Sequence, residues 1–281
     1  MTNRQSLYEM MKRKASCLCV GLDPDPERIP THLGTGVEAM EAFCHGIVQA
    51  THSYAAAFKP NLAFFEQYGA AGWAALERII AVMPEDVLVI ADAKRGDIGN
   101  TAKRYAKAMF DGLGAHAITV APYMGEDSVA PFMDGYADRW TIVLALTSNA
   151  GADDFEFHGT PPLYERVVER CQAWGSPDEL MFVVGATRPE QLRAIRQLAP
   201  DHFFLVPGVG AQGGRIEDVM EAGWIEGACG LLINASRSVL YASSGEDYAS
   251  AAAAEAQKLQ EATAPYFNRP CLLYTSDAAD E

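Results

Sequence analysis

VLVIADAKRGDIGNTA, residues 87–102, decides the fold and frames the chemistry. Val87–Ile90 is apolar at successive positions, as in a strand buried on both faces. Asp92 and Lys94 follow at the strand end. Residues two apart in a strand share a face, so these two side chains project together. Asp97 comes next, on the turn into a helical pattern that starts near residue 99. Two carboxylates and an ammonium are poor core material. The ordinary reading is a structural salt bridge at a strand terminus; the other is a site that needs a fixed pattern of charge.

Working outward, the same signature recurs. Apolar runs occupy 16–23, 54–60, 87–94, 116–122, 141–148, 180–187, 203–208 and 230–237. Helical patterns lie between and after them, at about 36–52, 62–83, 99–112, 125–136, 162–174, 188–198, 214–222 and 245–262. Thr187-Arg188-Pro189-Glu190 reads as a helix start, with Thr187 as the cap and Pro189 in the first turn. Eight strand–helix units in regular alternation predict an α/β fold, a closed parallel (β/α)8 or TIM barrel. A helix near 4–13 is expected to cover the barrel bottom. The 281 residues, 49% of them hydrophobic, suffice for one large core. Residues 1–270 are therefore read as a single domain. Residues 271–281 carry no pattern that continues the last helix, and Pro270 opposes one. They are expected to lie outside the fold as a non-native or disordered tail.

In such a barrel the C-terminal strand ends share one mouth, where active sites form. Read in order, those ends carry Asp23, Lys59, Asp92 with Lys94, then Thr147 and Ser148, then Gln212 and Arg237. Alone, Lys59 before a proline is an ordinary strand end and Asp23 before Pro24 an ordinary turn former. Converging from separate parts of the chain, they describe one polar volume. PGVGAQGGRIED at 207–218 follows the seventh strand. Its glycines fit G-x-G-x-x-G, a weak signal in itself and misplaced for a dinucleotide fold. Glycines before a helix N-terminus do suit an anion, and the loops after strands seven and eight are the usual phosphate cradle of a barrel. Arg237 adds a planar donor fork. The residues thus describe a barrel that grips a phosphate on one side and presents a Lys–Asp–Lys–Asp array on the other.

With these motifs in place the chain resembles the orotidine 5′-phosphate decarboxylase family, in particular its longer, type 2 subgroup, over most of residues 7–265. The resemblance rests on FKPN at 58–61, DAKRGDIGNTA at 92–102, TSN at 147–149, PGVGAQGG at 207–214 and SR at 236–237. It implies decarboxylation of orotidine 5′-monophosphate to uridine 5′-monophosphate and CO2, the last step of de novo UMP synthesis, with neither metal nor organic cofactor. Lys94 matches the proton donor, Asp92 and Asp97 its flanking carboxylates, and Lys59 the first lysine of the array. The resemblance implies a homodimer in which Asp97 and Thr101 cross to the neighbouring site. Asp23 and Thr101 would hold ribose hydroxyls, Ser148 the pyrimidine, and Gln212 with Arg237 the phosphate. Pro207, Gly213 and Ser236 complete the expected substrate-binding set.

The chemistry suits these residues. Loss of CO2 from C6 leaves an in-plane anion with no carbonyl placed to delocalise it. A cation clamped by neighbouring acids stabilises and then protonates it, since opposite charges favour the ammonium form. Three rivals remain. A metal-dependent sugar-phosphate synthase or decarboxylase of the same barrel superfamily shares D-x-K-x-x-D, but Lys59 stands where an acidic metal ligand is expected. A Schiff-base aldolase would need a neutral amine at Lys94. A non-catalytic nucleotide-binding protein would have no use for the array.

The remaining composition narrows the partners. A formal net charge of -15 argues against nucleic acid and anionic membrane. No apolar stretch approaches the roughly 20 residues that span a bilayer, and no secretory signal is read, so a cytoplasmic enzyme is expected. Six cysteines at 17, 19, 44, 171, 229 and 271 form no CxxC and read as buried free thiols.

Overall fold

Eight strands pair in parallel, each with the next in sequence: β1 (Leu18–Leu22), β2 (Ala57–Pro60), β3 (Leu88–Arg95), β4 (Ala117–Val120), β5 (Trp140–Leu146), β6 (Leu180–Val184), β7 (Phe204–Pro207) and β8 (Leu231–Ala235). β8 returns to β1 through Leu18↔Ile233 and Val20↔Ala235 and closes the barrel. The structure is a computed structural model that describes residues 3–210 and 213–268. Each apolar run of the sequence matches one strand, with β3 and β5 each extending one residue beyond it. β1, β2, β4, β6 and β8 are buried at every position, because the barrel interior covers one face and the helical ring the other. Trp140, Phe58, Phe182 and Phe204 are fully enclosed. Burying a large apolar side chain contributes roughly 1.5–3 kcal/mol.

The helix Arg4–Lys14 closes the bottom. Asn3 caps it by accepting from the Ser6 N–H at 2.9 Å, and Ser6 returns the bond to Asn3. The Arg4 backbone N–H donates to Asp178 just before β6, and Lys14 pairs with Asp86 just before β3. Both partners precede strands, so the opposite end of the barrel is left for the site.

The helices differ from the sequence pattern where backbone geometry intervenes. The 62–83 pattern breaks into Ala63–Glu66 and Gly69–Ala81, with Gly69 turning at φ +57°. The 99–112 pattern begins as Gly99–Lys107 and ends in a wider turn at Ala108–Gly112, where the Leu113 N–H bonds to the Ala108 carbonyl. The 125–136 pattern is only Glu126–Val129 followed by a tight turn at Ala130–Phe132, which contains Pro131. The helix Pro189–Leu198 starts on its proline as expected, but the cap is Arg188 rather than Thr187, with no side-chain hydrogen bond. The last helix, Tyr248–Phe267, runs past the expected end with Pro265 in its final turn. Residues 271–281, and with them Cys271, lie outside the described residues. The other five cysteines are buried free thiols. Among the described residues no helix is long and apolar enough to cross a membrane.

Candidate active site

The ends of β2 and β3 are drawn together by a bridge between Asn61 and Asp92. Asp92 then divides its carboxylate between two lysines: Oδ2 accepts from Lys59 Nζ at 2.5 Å, and Oδ1 from Lys94 Nζ at 2.6 Å. Lys59 and Asp92 are buried, whereas half of the Lys94 side chain is open to the cavity and solvent. Burial alone would raise the Asp92 carboxyl, but Lys59 and Lys94 outweigh it and hold the group well below the usual carboxylate range. Burial likewise opposes the Lys59 ammonium, and Asp92 with Asp23 reverses the sign and holds it above the ordinary lysine value. The result is a buried anion shared by two cations, one enclosed and the other half-open, at the edge of a ligand-sized space.

That space is a cavity of about 220 Å³ lined by Lys59, Asp92, Lys94, Thr119, Leu144, Ser148, Val183, Leu205 and Pro207 among others. A second hollow shares Lys59, Asp92 and Pro207 with it and continues to Asp23, Asn61, Asn234, Ser236, Arg237 and Ser238. The two make one cleft, with the charged array and an apolar wall at one end and Arg237 at the other. Asp23 Oδ1 is buried with no hydrogen-bond partner among the described residues. A buried, unpaired carboxylate oxygen is costly unless a ligand hydroxyl completes it. Arg237 forms no ion pair among the described residues and is exposed at its end of the cleft.

Seven of the expected residues therefore converge with Lys94: Lys59, Asp92, Asp23, Ser148, Pro207, Ser236 and Arg237. Asp97 and Thr101 do not line the cleft of their own chain. Asp97 instead accepts the Ile98 N–H at 2.8 Å, and Thr101 is exposed on the helix Gly99–Lys107. Within one chain Lys94 thus meets one aspartate, not two. Gln212 lies outside the described residues. Around it, the glycine amides close the loop on itself: Gly210 N–H bonds to the Gly214 carbonyl, Gly213 N–H to Gly210, and Gly214 N–H to Gly208. Gly213 holds the turn at φ +91°, and its amide is already engaged.

Several site residues escaped sequence reasoning. Thr119 sits inside the β4 run, where a single hydroxyl gives no signal of its own. Asn61 and Asn234 are small polar residues at strand ends with no motif of their own beyond the final position of FKPN. Glu156 accepts from both the Thr147 N–H and hydroxyl at 2.7 Å and so fixes the turn that leads to Ser148. Its distance of nine residues along an irregular loop gave no periodic signal. Gly21 pairs with Lys59 across β1 and β2, and a Cβ there would overlap Ser236. Among the described residues no cluster of three His, Cys, Asp or Glu side chains is placed to hold a metal ion.

Comparison with known proteins matches this arrangement to the model of the orotidine 5′-phosphate decarboxylase / HUMPS family over residues 16–253. The chain belongs to this family. The matched span takes in all eight strands and every site residue named above. Among its relatives, the orotidine 5′-phosphate decarboxylase of Bacteroides fragilis is 48% identical over 265 residues, covering 92% of this chain and 96% of its own length. That of Christiangramia forsetii is 49% identical over 261 residues, covering 91% and 95%. The solved structure of Leishmania donovani OMP decarboxylase superposes with a TM-score of 0.80 at 39% identity, over 93% of this chain and 98% of that one.

Proposed function

We propose that this chain converts orotidine 5′-monophosphate to uridine 5′-monophosphate and CO2, the final step of UMP synthesis. The observation that carries the reading is the Lys59–Asp92–Lys94 array at one end of a cleft whose other end holds Arg237. Relatives that carry the decarboxylase name at 48–49% identity over nearly their whole length support it.

The chemistry follows from charge. The C6–carboxylate bond breaks, CO2 departs, and the bonding electron pair stays on C6 in the ring plane. Lys94, held by Asp92, presents its ammonium to that lobe. Stabilisation is greatest where the charge develops, in a site that is already organised. The ammonium then gives its proton to C6, and the amine recovers one from solvent. Leu144, Val183 and Leu205 offer the neutral, weakly solvated CO2 an apolar wall. Asp23 Oδ1 accepts from a ribose hydroxyl, and Ser148 reads the pyrimidine. Arg237 takes the phosphate, with Ser236 beside it, and Gln212 shares that role. Binding the remote phosphate supplies energy for placing the ring.

The working unit is a homodimer. Asp97 and Thr101 stand outside their own cleft, and the large apolar side chains of Ile98, Tyr123 and Met124 are left exposed beside them. Met124 lies near Gly96, on the same edge of the mouth. In the dimer Asp97 and Thr101 enter the neighbouring cleft and complete the second carboxylate beside Lys94. The enzyme works in the cytoplasm, without a metal or an organic cofactor, on a small-molecule substrate, and engages neither nucleic acid nor membrane.

The test is direct. Purified protein in excess chelator should bleach the ultraviolet absorbance of orotidine 5′-monophosphate at an undiminished rate. Activity that vanishes with the chelator and returns with a divalent ion would favour the metal-dependent sugar-phosphate branch.

A further inference from the structure

We propose that Thr119 is a positioning residue for Lys94. The inference deepens the decarboxylase reading and rests on it for its kinetic arm. Thr119 lies on β4 and is 1% exposed. β3 and β4 pair in register at Ala91↔Ile118 and next at Arg95↔Val120. Four steps along β3 therefore match two along β4, and Thr119 alone faces Asp92–Lys94. Such a bulge interrupts the backbone ladder and re-aims the side chains it carries.

At this irregularity Lys94 adopts φ +46°, in the left-handed region that a residue with a Cβ ordinarily avoids. Its backbone N–H donates to Thr119 Oγ1 at 2.9 Å. The hydroxyl has one proton, and it goes to Asp92 Oδ1 at 3.0 Å. The same carboxylate oxygen receives Lys94 Nζ. Thr119 thus holds Lys94 twice, at the start of its side chain through the backbone and at the tip through the counter-ion. A backbone held in a sparsely populated region needs surroundings that over-determine it, and this hydroxyl is one such restraint. The alternative is that Thr119 only forms part of the cavity wall beside Leu144 and Val183. Valine has nearly the same shape as threonine without the hydroxyl, so it separates the two roles.

The experiment compares Thr119→Val and Thr119→Ser. With orotidine 5′-monophosphate, T119V should lower kcat about 30-fold, the size expected when a buried bond to a charged group is lost, and shift KM less than about threefold. T119S keeps the hydroxyl and should stay within about threefold of the parent. Crystal structures of the parent and T119V read the cause without any turnover. In T119V, Lys94 should leave the positive-φ region or its ammonium should move beyond about 4 Å from Asp92, the limit of an ion pair. If T119V does not fold, T119A against T119S makes the same comparison. A hydroxyl-free variant with parental kcat, a serine variant as impaired as the hydroxyl-free one, or an unmoved Lys94 overturns the proposal. A parent protein that leaves orotidine 5′-monophosphate intact sinks the decarboxylase reading alone, and the crystallographic comparison still decides the role of Thr119.

Discussion

Lys59 Nζ lies 2.5 Å from Asp92 Oδ2, with only 6% and 8% of the two side chains exposed. A buried ion pair of this kind is a weak source of net stability, because desolvation offsets most of the attraction. Breaking it is another matter, since one charge is then left buried and unpaired. Lys59→Ala should therefore cost about 3–5 kcal/mol in urea unfolding and abolish turnover. The double variant Lys59→Met with Asp92→Leu should recover most of that stability and none of the activity. Recovery of stability without chemistry would mark the pair as retained for function. A double variant less stable than the single one would mark it as structural.

Lys94 and Arg237 sit at opposite ends of the cleft and should fail differently. Lys94→Ala removes the proton source and the stabilising charge together, so steady-state assays should show kcat near background. Arg237→Ala removes a charge-assisted contact remote from the reacting carbon. KM should rise roughly 10–100-fold with kcat changed far less. A Lys94→Ala enzyme with near-parental kcat would be incompatible with the assigned roles.

The pH profile follows from the signs of two shifts. Asp92 is held below its ordinary value of about 3.9, so its contribution is present above that value and lost only as pH falls through the lowered one. Lys59 is held above about 10.4, so its contribution is present below that value and lost only as pH rises through the raised one. Neither group changes charge between about pH 5 and pH 9. The titrating partner in that window is the substrate phosphate, with a second pKa near 6. Stopped-flow or spectrophotometric assays should give a flat kcat from about pH 6 to 9 and a kcat/KM that falls below about pH 6. A kcat that titrates near neutrality would place a group other than Asp92 and Lys59 in control.

The barrel was legible because its strands are buried on both faces and its helices on one. Runs such as Val87–Ile90 and Leu231–Ile233 admit few other readings in a chain that alternates so regularly. Asp23, Lys59, Asp92 and Arg237 were legible because charge at the end of a buried strand is conspicuous. Other features depend on three-dimensional events that leave no periodic trace. Gly69 interrupts a continuous amphipathic pattern by a backbone turn, not by a change of polarity. The β3 bulge that puts Lys94 at positive φ is a register shift against β4, so the role of Thr119 depends on pairing across 25 residues. The engaged amides of Gly210, Gly213 and Gly214 show the same limit: composition marks a tight loop but not where its N–H groups point.

Gly21 tests how closely the Arg237 end of the cleft is packed. A Cβ there would overlap Ser236 Oγ and come within 3.1 Å of Asn234 Oδ1. Gly21→Ala should cost roughly 1–3 kcal/mol by overpacking and raise KM through displaced Ser236. Urea unfolding and steady-state kinetics read the two effects separately. A variant with parental stability and KM would show that Ser236 swings away freely and contributes nothing to substrate placement.

Asp97 offers a test of assembly that needs no structure. If it serves the neighbouring cleft, Lys94→Ala and Asp97→Ala proteins are each inactive alone but complement when subunits exchange. In a mixed dimer one cleft receives Lys94 from one chain and Asp97 from the other and is fully parental, while the second cleft lacks both. Random reassortment of an equal mixture makes half the dimers mixed, so about a quarter of all clefts become competent. Recovery of about a quarter of the parental rate after mild dissociation and remixing is the expected result. Failure to recover activity, in a mixture shown to exchange subunits by mass spectrometry, would assign Asp97 to its own chain and remove the crossed site.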